Sequence, residues 1–360
     1  MISESDNIYL ELRKHLDTHP IGYPETKSGV EIRILKHLFS PKEAKIALKL
    51  NILPQDSNFI CDLLKDEKWS KEEISESLAN MGKKGSVTWF NRKGTDYYAL
   101  APLVVGMFEY QLNRLTIEFI HDFEQYLEEG YSKEIFASEI PQLRTIPIEE
   151  SLTHENYVSN YDELKKLVEN SSKFSVAECV CRKSTKMIGK GCDHTLERCF
   201  QFGAGAWDYL NKGFAREITK EEALSMLKDA QKEGFVLQPT NTQKIISICS
   251  CCGCSCEYLR NLAKLEKPAL HVASNYFARV DEGECTGCGV CETRCHMDAI
   301  KVNDDGISQV NLDRCIGCGV CIPTCVSEAV ILVKKEKETS PPPNMMEMYK
   351  KIAMKKLDAL

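Results

Sequence analysis

Seventeen of the chain's 18 cysteines lie between Cys179 and Cys325, and Cys61 stands alone before them. Thiols at that density either form disulfides or bind metals, and the two chemistries belong to different compartments. The first residues, Met1-Ile2-Ser3-Glu4-Ser5-Asp6, are polar and acidic and lack the apolar core of an export signal. A cytoplasmic location is therefore expected, with reduced thiols and metal–thiolate chemistry. Eight cysteines fall into two matching runs, Cys285-x2-Cys288-x2-Cys291-x3-Cys295 and Cys315-x2-Cys318-x2-Cys321-x3-Cys325. The residues between them agree as well: Gly287-Cys288-Gly289-Val290-Cys291 against Gly317-Cys318-Gly319-Val320-Cys321. Three closely spaced thiolates can wrap one face of a metal–sulfide cubane, small glycines let the backbone approach it, and a fourth thiolate closes the site. Zinc would favour separated CxxC pairs instead.

The doubled run resembles the bacterial 2[4Fe–4S] ferredoxin family over residues 281–333. That resemblance implies two [4Fe–4S] clusters, the fourth cysteine of each run crossing to the other cluster. It implies that Cys285, Cys288, Cys291 and Cys325 hold one, and Cys315, Cys318, Cys321 and Cys295 the other. Ile300 and Val330 stand at the family's apolar, shielding positions. The family's proline after the fourth cysteine is replaced by His296 and Val326, which leaves the reduction potentials open. His296 is expected at the surface or behind the ligands.

Nine more cysteines occupy 78 residues: Cys179, Cys181, Cys192, Cys199, Cys249, Cys251, Cys252, Cys254 and Cys256. Unoccupied, such a group would oxidise. At least one further [4Fe–4S] cluster is expected there, with zinc or a redox-active dithiol as alternatives. Cys179 and Cys181 should share one face of an extended strand, as should Cys249 and Cys251. Cys192 and Cys199 should come from the loop and helix that follow. Arg182 either offsets cluster charge or lies at the surface, and His194 reads as a solvated loop residue, with a metal ligand as the alternative. Cys252-Gly253 is similar to part of the Cys-Cys-Gly motif of heterodisulfide-reductase-like subunits, without the rest of its spacing. The whole arrangement is similar to 4Fe–4S dicluster proteins with a long N-terminal extension, a group that brings no reaction with it. Cys61, beside Ile60, Leu63 and Leu64, reads as a packed core thiol.

The elements that must position these residues suggest an α+β multidomain chain. Residues 1–140 form a winged-helix-like domain, 141–275 a cysteine-rich α/β domain, 276–335 the ferredoxin-like module, and 336–360 a linker with a C-terminal amphipathic helix. Ser40 with Pro41 and Glu43, and Ser70 with Glu73, make two capping boxes. The second opens a helix with Ile74, Leu78 and Met81 inward, stopped by Gly82 and Gly85. Strands at 86–90 and 97–100 flank a Lys-Gly turn, a pattern that resembles a winged helix. A helix over 108–127 would bury Leu112, Leu115, Phe119 and Phe123. Further on, a helix over 161–170 is expected behind Asn160 or Asp162. Strands at 174–179 and 244–249 run into cysteines and would set them side by side if paired. A Thr219–Glu222 capping box opens a helix ending at Gly234.

Other chemistries find little support. No dinucleotide or phosphate-loop glycine motif is present, and the glycines of 202–207 read as close helix packing or cofactor-adjacent backbone. The formal charge is −7, and residues 1–100 carry 15 basic and 15 acidic side chains, so no positive field invites nucleic acid. The candidate recognition helix 71–84 carries Glu72, Glu73 and Glu76, against a small patch of Lys83, Lys84, Arg92 and Lys93. A protein partner is favoured over DNA. The apolar stretch 97–108 is too short to span a bilayer. The expectation is a one-electron relay acting as redox subunit or donor to a partner oxidoreductase, without membrane, assembling through the N-terminal domain or C-terminal helix. Its rivals are a redox- or iron-sensing regulator and an oxidoreductase with substrate at an open-site middle cluster.

Overall fold

Ser40 and Ser70 each accept the N–H of the glutamate three residues on, and Glu43 and Glu73 accept the serine N–H in return. These local devices start two of the N-terminal helices in the computed structural model, which describes residues 4–152 and 159–358. The fold is mixed α and β. The chain divides into two units, one up to Ala137 together with the C-terminal end from Lys356, the other Ser138–Lys355.

The first unit runs α1 (Glu4–Asp17), α2 (Val30–Leu38), α3 (Pro41–Ala47), β1 (Gln55–Asp56), α4 (Ser57–Leu63), α5 (Lys71–Lys84), β2 (Thr88–Arg92), β3 (Thr95–Ala99), α6 (Ile117–Tyr126) and α7 (Ser132–Ala137). Its antiparallel sheet has the order β1-β3-β2, and the β2–β3 hairpin turns on Lys93 and Gly94 in left-handed conformations. Cys61 is buried on α4 beside Ile60. Residues 108–127 do not form the single helix expected. A short 3-10 turn covers Glu109–Gln111, and Thr116 then accepts the Phe119 N–H and starts α6 afresh. A threonine oxygen that captures a backbone donor ends one segment and caps the next. Leu112, Phe119 and Phe123 are buried all the same; Leu115 is only partly so.

The second unit continues with α8 (Leu164–Glu169), β4 (Phe174–Glu178), α9 (Val180–Met187), β5 (Glu197–Phe202), α10 (Ala204–Asn211), β6 (Ala215–Glu217), α11 (Lys220–Lys232), β7 (Val236–Pro239), β8 (Ser247–Cys251), α12 (Glu257–Ala263), β9 (Tyr276–Val280), α13 (Val290–Arg294), β10 (Ile300–Val302), β11 (Ser308–Val310), β12 (Val330–Lys334) and α14 (Met345–Asp358). Five strands make one antiparallel sheet, β6-β4-β5-β8-β7. The two cysteine-ended strands β4 and β8 do not pair with each other but are separated by β5, whose Cys199 sits opposite Cys249. The helix expected at 161–170 begins only at Leu164, because Asp162 is buried in an ion pair with Arg144 and accepts from Asn275 rather than capping. Thr219 caps α11 by accepting the Glu222 N–H, while the Glu222 carboxylate goes to Arg216 instead of closing a box. Strand β8 starts at Ser247, later than expected, because the Gln243 and Lys244 N–H groups donate to the carbonyls of Pro342 and Pro343.

Strand alternation decides which residues meet the core. Val176, Phe200, Leu237 and Ile248 face one side and pack with Leu164, Leu167, Val168, Ala223 and Leu227. Each fully buried large apolar side chain there contributes roughly 1.5–3 kcal/mol. The same alternation turns Cys199, Cys249 and Cys251 to the opposite face. Gly205 brings α10 against this sheet: a Cβ there would lie 2.4 Å from the Ile246 carbonyl oxygen, whereas one at Gly203 would meet nothing, so close packing accounts for Gly205 alone. Two small antiparallel pairs, β9–β12 and β10–β11, carry the cysteine runs. Among the described residues no helix is long and apolar enough to cross a membrane.

Candidate metal centres

Cys295, Cys315, Cys318 and Cys321 line one cavity of about 380 Å³ including its mouth, walled otherwise by Ala278, Met297, Ile300, Ile316 and Val320. These are the four cysteines that the ferredoxin resemblance assigns to one cluster, and Ile300 stands in the wall as that resemblance implies. Backbone donors point at the sulfurs: the Ala278 N–H reaches Cys315 Sγ at 3.3 Å and the Ala299 N–H reaches Cys295 Sγ at 3.3 Å. Burial pushes the Cys318 thiol up to about 12 and raises Cys315 and Cys321 as well. Four thiols in a dry pocket resist ionising together unless a cation sits among them. The donor set, the apolar wall and the N–H···S bonds fit a bound iron–sulfur cluster.

The other run is more open. Ser308 joins two of its members, its N–H donating to Cys285 Sγ at 3.4 Å and its hydroxyl lying 3.3 Å from Cys291 Sγ. The Ser308 and Gly287 N–H groups draw the Cys285 thiol below its usual range. Cys288 is exposed, and Cys325 lies 3.7 Å from the Ser327 hydroxyl. Val330 is buried, and Val326 is almost fully exposed.

The middle cysteines separate into two groups. In one, Cys181 is hydrogen-bonded to Cys179 and Cys256, and Cys251 to Cys256 and Cys249. In the other, Cys192, Cys252 and Cys254 have their sulfurs within 4.8 Å of one another, with Cys192 Sγ and Cys252 Sγ 3.9 Å apart. The division falls at the end of β8: Cys251 is its last residue and Cys252 lies outside it. Cys252 packs instead with Ala230, Phe235 and Cys192. The expectation for Cys181 fails: Cys179 is the N-cap of α9 and Cys181 lies in its first turn, not on a strand. Cys199 belongs to β5 rather than a helix, where its sulfur accepts from Gln201 Nε2 at 3.1 Å. Cys192 comes from a loop, as expected.

Arg182 is 1% exposed, which excludes the surface reading. It donates to Thr195 O at 2.5 Å, Ser250 O at 3.4 Å and Cys252 Sγ at 3.5 Å, and its guanidinium lies over Phe235. Burial works to lower its pKa, but Cys179, Cys252 and Cys192 more than offset this and raise it. The thiols divide the charge unevenly. Hydrogen bonds from Cys181 and Cys251 draw Cys256 down to about 6, while Cys179, Cys181 and Cys251 are pushed well above the usual thiol range. In the second group burial opposes ionisation of Cys192, yet Ser255, Cys254 and the His194 N–H bring it to about 7. Burial, Cys252 and Cys192 push Cys254 up to about 12.

Two contributors, Ser255 and Arg314, escape a reading of spacing alone, whereas His296 takes the second of its two expected places, behind the ligands. The Ser255 hydroxyl donates to Cys192 Sγ at 3.2 Å. Arg314 clamps the carbonyls of Ala263, Leu265 and Met297. His296 is neither at the surface nor loose: Gly253 N–H donates to its Nδ1 and its Nε2 bonds Gly234 O at 2.8 Å. His194 is partly exposed, 3.4 Å from Glu233 and edge-on to Phe235. No protein-family model, curated protein or solved structure matches the chain.

Proposed function

We propose that the chain is an iron–sulfur electron-transfer protein, a one-electron relay acting as redox subunit or donor to a partner oxidoreductase. The observation that carries this reading is the apolar cavity lined by Cys295, Cys315, Cys318 and Cys321, which joins cysteines from both runs. Cys285, Cys288, Cys291 and Cys325 would hold the second ferredoxin-type [4Fe–4S] cluster, and Cys179, Cys181, Cys251 and Cys256 a further one. Such clusters supply a one-electron couple whose potential is set by burial, charge and hydrogen bonds to sulfur. The chain's own part is to shield one site with Ile300 and Val320, to aim backbone N–H groups at the thiolates, and to offset their charge with Arg182.

Iron, sulfide and zinc per chain on anaerobically purified protein, with EPR of the reduced form, test this. About eight irons correspond to the two ferredoxin-type sites and about twelve add the middle one. Protein that carries no iron after anaerobic reconstitution would overturn the reading. The N-terminal unit favours a partner protein over DNA. Its order β1-β3-β2 beside α5 is similar to a winged helix, but Glu72, Glu73 and Glu76 are exposed on α5 and Lys84 is bound to Glu43.

A further inference from the structure

We infer that Cys192, Cys252 and Cys254 form a metal site separate from the other middle cysteines, binding one divalent ion of the zinc class with a fourth position open to an exchangeable ligand. This goes beyond the electron-transfer reading and does not depend on it. With Zn–S bonds of about 2.3 Å, two thiolates on one tetrahedral ion lie about 3.8 Å apart. Cys192 Sγ and Cys252 Sγ are 3.9 Å apart, and Cys254 lies within 4.8 Å of both. Thiolates on different irons of a cubane sit farther apart, because an iron–iron edge separates their metals. The trio is therefore spaced for a single ion.

The remaining contacts agree. The sulfur–sulfur bonds of Cys179, Cys181, Cys249, Cys251 and Cys256 stay within that set. Three thiolates on a divalent ion carry one net negative charge, and Arg182, buried 3.5 Å from Cys252 Sγ, supplies one positive charge. That guanidinium offsets charge at the inner, Cys252 side of the site. Soft thiolates in tetrahedral array select zinc over magnesium or calcium. Among the described residues no further histidine, cysteine, aspartate or glutamate places a ligand atom within 4.8 Å of the three sulfurs. Cys254 is exposed, so the fourth position opens towards solvent on its side. Three protein ligands with one open position characterise zinc sites that bind exchangeable ligands rather than purely structural ones.

The test uses the full chain purified anaerobically. One zinc per chain is expected, and the Cys192→Ser/Cys254→Ser variant should lose that zinc while its iron content and reduced-state EPR stay as in the parent. Loss of iron in the variant, with no zinc in the parent, would overturn the inference by assigning these thiols to a cluster. Cobalt exchange on the unmodified chain avoids any folding defect. Tetrahedral visible bands with thiolate-to-cobalt charge transfer are expected, and their absence counts against the site. Added 2-mercaptoethanol should shift the visible bands; bands that do not move would rule out the open position. A chain with zinc but no iron would refute the relay and leave this site standing, and the reverse result would do the opposite.

Discussion

Gly253 and His296 meet at 3.3 Å, the backbone N–H of Gly253 donating to His296 Nδ1. The contact ties the residue between Cys252 and Cys254 to the residue next to Cys295. His296 Nε2 in turn donates to Gly234 O, so the ring is the neutral Nε2–H tautomer, and burial holds its pKa below the usual value. One imidazole thus bridges the backbone between Cys252 and Cys254 and the cavity lined by Cys295, Cys315, Cys318 and Cys321, which it also lines.

Glycine is required on its side of that bridge. A Cβ at position 253 would lie 2.9 Å from His296 Nδ1. Gly253→Ala should displace the ring, and His296→Ala should leave the Gly253 N–H without its acceptor. Each is expected to cost about 1–2 kcal/mol. Thermal unfolding measures the loss, and EPR of the reduced protein should change for the signal of the cluster held by Cys295. An unaltered Tm and spectrum in both variants would mean that the bridge holds nothing in place.

Arg182 should matter more than any exposed charge. Arg182→Met keeps the length but removes the donor to Thr195 O and Ser250 O and the charge beside Cys252. Removing one partner from a buried charged network costs about 3–5 kcal/mol. The variant is expected to lose stability on that scale and to retain less metal in the middle domain, with Arg182→Lys between it and the parent. Lysine restores the charge but not the fork that reaches two carbonyls. Full metal content in the methionine variant would show that the guanidinium is not balancing thiolates.

What was legible in the sequence was what neighbours in the chain decide. Ser40 and Ser70 announce their helices because the cap and its glutamate lie three residues apart. That Cys295 would fall with Cys315, Cys318 and Cys321 comes from the ferredoxin resemblance alone, since nothing in the spacing says that the fourth cysteine crosses to the other run. The sheet order was not legible: β5 comes between β4 and β8 through pairings of residues about 50 apart in sequence, such as Cys199 with Cys249. Nor was the division of the middle cysteines, which depends on β8 ending at Cys251 and on Cys252 packing with Ala230, Phe235 and Cys192. Arg182 and His296 were visible as residues, but spacing does not report burial.

A half-buried acid gives the N-terminal unit a pH dependence. Burial raises the Glu109 carboxyl from 4.5 to about 7, against the Gly106 N–H that donates to it at 2.6 Å. The folded chain therefore keeps a proton that the unfolded chain releases. The stability this adds is present below pH 4.5, is lost as the pH rises through about 7, and does not change further above that. Glu109→Gln, which keeps the shape without the charge, should unfold a few degrees higher than the parent at pH 8 and at the same temperature at pH 4.5. A parent and variant that differ equally at both pH values would exclude titration of Glu109 as the cause.

The glycines of the two cysteine runs should rank by what surrounds them. Gly287 and Gly317 occupy equivalent positions with φ of +66° and +68°. An added Cβ would lie 2.0 Å from Gly306 O in the first case and 2.1 Å from Tyr276 O in the second. Both obstacles are backbone and cannot swing away. Gly289 has φ +75°, but its added Cβ meets nothing closer than Val302 Cγ2 at 3.8 Å. Left-handed conformation alone costs a non-glycine residue about 1–2 kcal/mol, so Gly289→Ala should lower stability modestly and keep its iron. Gly287→Ala and Gly317→Ala must move backbone beside Cys285–Cys291 and Cys315–Cys321 respectively, and each should lose about four irons, one cluster's worth. Iron per chain, read with the reduced EPR signal that disappears, distinguishes the two. Equal iron in all three variants would mean that these turns do not shape the cluster sites.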